Sequence, residues 1–319
     1  MRVTRAILSL LALAASAACN HDGVIELPLG EDEKYKRPAT SRSSDAATVV
    51  FEYTPAPGQF INESLLGGFD GSETTPQAAA EYALRRMNGG DWVSLGGFGG
   101  FIVVGFDHSI DNENGRYNIA VDSNTFDSSS EPGIVWVMRD ENGNGLPDDT
   151  WYELRGSEYG KPGTEHSYSV TYYRPVSDGE PVAWRDSRGN TGRIERMPTH
   201  TQASYYPLWI QDDEYTLTGV RLQERNTQND SGEWYNPAYD WGYADNSSDT
   251  DRFVDGDTNP GANHFRISDA VTADGQPANL KYIDFVKIQT ALNTSSGALG
   301  ESSTEVIRVR DFNLFRKRH

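Results

Sequence analysis

Apolar residues along the chain fall into short runs rich in β-branched and aromatic side chains: FIVVGF (101–106), RYNIAV (116–121), GIVWVM (133–138), SYSVTYY (167–173), LTGVRLQ (217–223) and YIDFVKIQT (282–290). Clusters of Gly, Asn, Asp and Pro separate them, which is the signature of strands and turns. FIVVGF is continuous and predicts a strand buried on both faces, whereas YIDFVKIQ alternates and predicts one wet side. A single stretch, TPQAAAEYALRRMNGG, has helical periodicity. Thr75 is placed to cap it, Pro76 suits its first turn, Ala79, Tyr82, Ala83 and Met87 share a face, and Gly89 or Gly90 stops it. The pattern predicts an all-β fold, an antiparallel β-sandwich of jelly-roll type with one short helix and long loops. No repeat of propeller length is present.

The first residues do not fit that pattern. MRVTRAILSLLALAASAAC has two arginines, an apolar run too short to span a bilayer, and small residues leading to Cys19, the sole cysteine of the 319-residue chain. This is the organisation of a lipoprotein signal peptide over residues 1–18, with Cys19 acylated after cleavage. Residues 19–46 are polar and proline-containing without periodicity, as a flexible tether would be. A single domain over 47–316 follows. The formal net charge of -19 argues against nucleic-acid partners, because an acidic surface repels phosphates. The terminal RKRH reads as a solvated end, and the lipid is the expected membrane anchor.

RDENGNGLPDDTWYEL (139–154) interrupts two strand runs with oxygen-bearing side chains at alternate positions. Asp140, Asn142 and Asn144 stand first, third and fifth, Gly145 sixth, Leu146 can offer its carbonyl seventh, and Asp148 and Asp149 come late. Hard cations take six to eight oxygen ligands, and a loop supplies them in this order, so the stretch predicts a structural calcium site. Trp151 occupies the twelfth position, where an EF-hand carries glutamate. The closing ligand is therefore expected from Asp148 or Asp149, with Glu153 a weaker candidate. A plain Asn-Gly hairpin turn is the alternative. Zinc and copper do not fit a set without His or Cys.

Two further segments bear on chemistry. Residues 225–263 form a long polar stretch carrying Trp234, Tyr235, Tyr239, Trp241 and Tyr243. Rings on a rigid loop give large contact area at low entropic cost, so these five are candidate ligand contacts, with burial as a lid the alternative. The loops around Asn124 and His108 are the next candidates. The same segment holds Asp240, Asp245, Asn246, Asp249, Asp251, Asp255 and Asp257, spaced more loosely than the first loop and expected to be solvated, with another calcium site the alternative. LGGFGGF (95–101) has glycines but runs into a strand, so it predicts tight turns beside packed backbone instead of a phosphate loop. The six histidines are dispersed, and no nucleophile elbow, Walker loop, dinucleotide fingerprint or zinc-protease helix is present. A binding protein is expected, with no catalytic residues.

The ordered series YTPAPGQFINE, SLGGFGGFIVVGFDHSI, EPGIVWVMRDENGNGLPDDTWYELRGSEY, WGYADN, HFRISDAV and YIDFVKIQTALN resembles a family of Bacteroidetes cell-surface lipoproteins across nearly all of residues 48–311. Members are associated with vitamin B12 uptake loci, beside a TonB-dependent cobalamin transporter and its surface lipoprotein. The resemblance implies capture of cobalamin or a related corrinoid at the outer membrane, facing the cell exterior, or help with that capture. Rings and amides serve a sugar equally well, so a calcium-dependent glycan-binding jelly roll is the alternative.

Overall fold

The computed structural model describes Gly30 and residues 33–318. The signal segment, Cys19 and the first part of the expected tether lie outside the described residues. Lys36 onward forms one compact unit, so the folded domain begins before residue 47. The reason is chemical: Arg37 donates through Nη2 to Asp284 at 3.0 Å, its backbone N–H donates to Ser109, and Ser43 is buried. Residues 36–46 are thus strapped to the domain by hydrogen bonds that their polar composition did not reveal.

The domain is an all-β, sandwich-like fold. Its largest sheet has six strands in the order β1 (Val49–Thr54), β3 (Phe101–Asp111), β15 (Tyr282–Thr290), β5 (Gly133–Met138), β6 (Trp151–Leu154) and β14 (Ala270–Val271), all antiparallel. A three-stranded sheet joins β13 (Ala262–Phe265), β4 (Ile119–Asp122) and β17 (Arg308–Asp311). The four-stranded sheet has the order β10 (Glu214–Arg221), β7 (Glu165–Tyr173), β8 (Val182–Asp186) and β9 (Thr191–Ile194). Two short pairs complete it, β2 (Val93–Ser94) with β16 (Glu305–Val306), and β11 (Thr227–Gln228) with β12 (Trp234–Tyr235).

One hydrophobic core joins the six-stranded sheet, the three-stranded sheet and the helix, through Ile102, Val104, Val135, Val137, Val286 and Ile288 facing Ile119, Val121, Phe265 and Val309. Burying each of these side chains stabilises the fold by roughly 1.5–3 kcal/mol. Helix α1 (Pro76–Gly89) has the expected ends: the Thr75 side chain accepts from Ala78 N–H, and Gly90 closes it at φ 79°. Its buried residues include Ala79, Tyr82, Ala83 and Met87, and Tyr82 stacks on Phe69 with ring centroids 4.1 Å apart.

Strand β3 is buried on both faces, as its continuous apolar run predicts. Strand β15 departs from expectation. Its whole length is buried except for the half-buried Lys287, because a second core of Ile134, Val220, Leu222, Tyr239, Tyr243, Ala291 and Leu292 covers the face its alternation left polar. The end of the chain departs too: α2 (Phe312–Arg318) is a second short helix with Phe312 buried, and Arg316 pairs with Asp255 at 2.8 Å and Glu113 at 3.2 Å. The basic tail is held by acids. The LGGFGGF turns do pack backbone on backbone, since a Cβ on Gly100 would sit 1.8 Å from Leu95 O.

His108, a candidate contact, is fully buried in β3. Its Nδ1 lies 2.7 Å from Asp107 and its Nε2 2.8 Å from Asp311 on β17, so it staples the two sheets and offers nothing to a ligand. Burial opposes its charge, but the two carboxylates outweigh that and raise its pKa above the usual histidine value. A raised folded pKa means the staple contributes fully below about pH 6.5 and fades as pH rises through the higher folded value. Melting temperature should therefore lose this component on raising the pH above neutrality. His108→Gln should cost roughly 2–3 kcal/mol in acid and less in alkali; an equal loss at both ends would count against a charged staple.

Candidate functional site: a ring-lined cleft beside the central sheet

Strand pairing sets one row of side chains across the outer face of the six-stranded sheet. Lys287 on β15 is opposite Trp136 on β5, Trp136 is opposite Glu153 on β6, and Glu153 is opposite Val271 on β14. Residues two apart on a strand share a face, so Gln289 and Trp151 extend the row. All six line a cleft of about 390 Å³, whose other wall is His166, Ser167 and residues 218–220 of the four-stranded sheet, with Tyr159 at one end. That volume falls within the range of small-molecule sites.

The chemistry of the cleft is amphipathic. Trp136 and Trp151 are half-buried, and Trp136 Nε1 is buried without a hydrogen-bond partner. Lys287 has no carboxylate within ion-pairing distance among the described residues; its Nζ lies over the Phe101 ring, 4.3 Å from the centroid. Burial lowers its pKa, and Glu52 works against that from a distance. His166 Nδ1 is 3.4 Å from Glu153, and that hydrogen bond raises the histidine pKa despite some burial. Burial also raises Tyr159. Gln289 is fixed by donating through Nε2 to Gly99 O at 2.9 Å and Thr218 O at 3.1 Å, which bridges the two sheets at the cleft's base.

The five aromatic candidates are placed differently. Tyr239 and Tyr243 belong to the second core, edge to face at 5.5 Å, with their hydroxyls bonded to Gln223 O and Glu158 N–H. They are packing residues, because a long loop over a sheet must bury apolar area to stay ordered. Trp234 and Tyr235 form β12; the Trp234 indole covers Gly297, and Tyr235 is exposed. Trp241 is half-buried beside a cavity of about 10 Å³, too small for a ligand. Asn124 is exposed beyond β4. The acids of this segment split: Asp240, Asp249 and Asp255 are exposed as expected, whereas Asp245, Asp251 and Asp257 are buried. Asp251 accepts from Gly242 N–H and Asn263, and Asp257 from Arg310 and His264.

The loop between β5 and β6 gathers its oxygen-bearing residues. Asp140 is buried and accepts from Gly143 N–H at 2.6 Å and Gly145 N–H at 2.9 Å. Asn142 Oδ1 accepts from Asn144 N–H, Asn144 Oδ1 from Leu146 N–H, and Asp149 from Glu141 N–H. The Nδ2 groups of Asn142 and Asn144 both donate to Asp148, at 3.0 and 2.9 Å. Two neutral amides thus hydrogen-bond a carboxylate whose charge they leave in place. Glu153 is not part of this loop, since it faces the cleft with His166.

The sequence reading places Trp136 in a strand run, takes Trp151 only as the twelfth position of the hairpin loop, and leaves His166 among the dispersed histidines. A signal existed: both tryptophans flank one hairpin. Using it required the register that pairs Trp136 with Glu153. No protein-family model matches the chain, and no curated protein matches it. The functional reading therefore rests on the chemistry of the cleft and on the ordered motifs.

Gly219 tests the cleft's construction. A Cβ there would meet Gln289 Oε1 at 2.3 Å, forcing the amide off two carbonyls. Gly219→Ala should lower stability by roughly 1–3 kcal/mol, read by thermal melt, and Gly219→Ala with Gln289→Ala should recover part of it. An unchanged melt for the single variant would show that the bridge is dispensable.

Proposed function

We propose that the protein is a surface lipoprotein that captures cobalamin or a related corrinoid for a TonB-dependent outer-membrane transporter, and that the cleft beside β15 grips the ligand. The observation that carries this reading is the row of Lys287, Trp136 and Glu153, in which a half-buried ammonium without a carboxylate partner lies next to an indole. A corrinoid presents a broad, partly apolar face fringed with amide carbonyls and one phosphodiester. Indole and phenol rings suit the face, and Lys287 suits an anionic or carbonyl oxygen. The ligand is larger than the cleft, so the site would hold one edge and leave the rest open for transfer. The ordered resemblance to lipoproteins of B12 loci supports the same ligand.

A glycan is the second reading, favoured by the cleft's modest volume of about 390 Å³, which suits a sugar ring or two stacked on Trp136 and Trp151. Calorimetric titration of cyanocobalamin separates the readings. Wild type should bind, and Trp136→Ala and Lys287→Met should each weaken binding about tenfold to a hundredfold, or about 1–3 kcal/mol, with melts near wild type. No heat with cyanocobalamin, alongside binding on a glycan array, would replace the corrinoid with a sugar. Normal affinity in both variants would move the site out of the cleft.

The loop between β5 and β6 is proposed to hold structural calcium through Asp140, Asn142, Asn144, Leu146 O, Asp148 and Asp149. Its residues fit: Asp140 already organises the turn, and the amides bonded to Asp148 can rotate to present oxygen. Such an ion would neutralise clustered acids and brace the hairpin that carries both tryptophans. Chelation should lower the melting temperature of wild type, and Asp140→Ala should remove a large part of that sensitivity. Equal chelator sensitivity in both proteins would return the loop to an ordinary turn.

A further inference from the structure

A second oxygen cluster lies away from the cleft and the hairpin loop, and it does not depend on either reading. Glu131 lies two residues before β5, Asp245 stands two residues after Tyr243 in the aromatic segment, and Glu305 begins β16. One carboxylate oxygen from each lies within 4.8 Å of the other two. Asp245 and Glu305 are 1% and 2% exposed. Asp245 Oδ1 and Glu305 Oε1 are buried with no hydrogen-bond partner, while the opposite oxygen of Asp245 accepts from Glu305 N–H at 2.8 Å and Glu131 Oε1 accepts from Ser303 N–H at 3.0 Å. Glu131 N–H donates to Asp245 O at 2.9 Å, and Thr304 Oγ1 donates to Glu131 O at 2.8 Å. The three backbones are therefore fixed, and two free oxygens are left inside the cluster.

The electrostatics are one-sided. Among the described residues no lysine or arginine acts as counterion to the three, and Glu301, also buried, adds like charge to Glu305. Burial and the neighbouring carboxylates raise all three above the usual carboxylate range. Three carboxyls sharing a dry space take up either protons or a metal ion. Backbone N–H groups of Glu305 and Ser303 hold the Asp245 and Glu131 carboxylates toward one another.

We propose that Glu131, Asp245 and Glu305 bind one hard divalent cation, calcium, in a buried site that ties the start of β5 to the aromatic segment and to β16. The donor set is carboxylate oxygen alone, with no His or Cys, which selects calcium-type over zinc-type ions. Its role is structural, as it closes the edge of the sheet from which the cleft strand β5 starts.

Calcium binding to the full mature chain tests this, with Asp140→Ala used to silence the hairpin loop. After removal of metal, equilibrium dialysis of Asp140→Ala should still show one bound calcium per chain. Asp140→Ala with Glu305→Gln should bind it at least about tenfold more weakly, the loss expected when one charged ligand of three is removed. If Glu305→Gln does not fold, Glu131→Gln, at the less buried corner, takes its place. Europium luminescence lifetimes in H2O and D2O give a reading on Asp140→Ala alone: a buried ion should retain few coordinated waters. Absence of bound calcium in Asp140→Ala, unchanged affinity on removing the glutamate, or a fully hydrated europium would each overturn the site and leave the acids sharing protons.

Discussion

Asp284 is the point on which the arrangement depends. It sits fully buried in β15, where the pairing with β3 shifts register between Ile283 and Phe285. A bulge of this kind re-aims a side chain out of the regular alternation. The carboxylate then accepts from Arg37 at 3.0 Å, Ser109 Oγ at 2.6 Å and Asp140 N–H at 2.8 Å. One ion therefore fixes the N-terminal strap, the neighbouring strand β3 and the first residue of the hairpin loop. A buried carboxylate is tolerated only when its oxygens are satisfied, and satisfying this one positions three segments far apart in sequence.

The rest of β15 follows from being central. Paired on both sides and covered on both faces, it allows polar residues only where each meets a specific partner or an opening. Gln289 meets two carbonyls and bridges to the four-stranded sheet. Lys287 meets the opening. The run YIDFVKIQT thus encodes in alternate polar residues what a solvent-facing strand would encode, and this is why its alternation was read as a wet face. Alternation reports which side chains are polar; it does not report what lies opposite.

The same distinction decides what was legible. The helix, its caps and the positions of the main strands depend on neighbours a few residues away, and Thr75, Gly90 and Val104 behave as local chemistry requires. The cleft depends on pairing between strands separated by up to about a hundred and fifty residues, as Lys287 and Trp136 are, and on a covering sheet that no single-strand pattern contains. Aromatic density divides for the same reason. Tyr239 and Tyr243 are concentrated in a polar segment because a long loop needs anchors, and the rings left open to a ligand are strand residues that looked ordinary.

Acids divide along the same line. In the hairpin loop they alternate at short range, so local spacing exposes a possible ion site. Glu131, Asp245 and Glu305 come from three separate segments, brought together by the bridge between Gly133 and Ala244 and by bonds from Glu131 N–H and Glu305 N–H to Asp245. A net charge of -19 would ordinarily be spread over solvent, where self-repulsion is screened. This chain instead places acids inside at Asp284, Asp122, Asp251 and the three-carboxylate cluster. Arg37 answers Asp284 and Arg310 answers Asp122, at 2.6 Å; Asp251 is answered by amide donors. In the cluster, Asp245 Oδ1 and Glu305 Oε1 have no donor among the described residues, and that imbalance is what a bound cation would resolve.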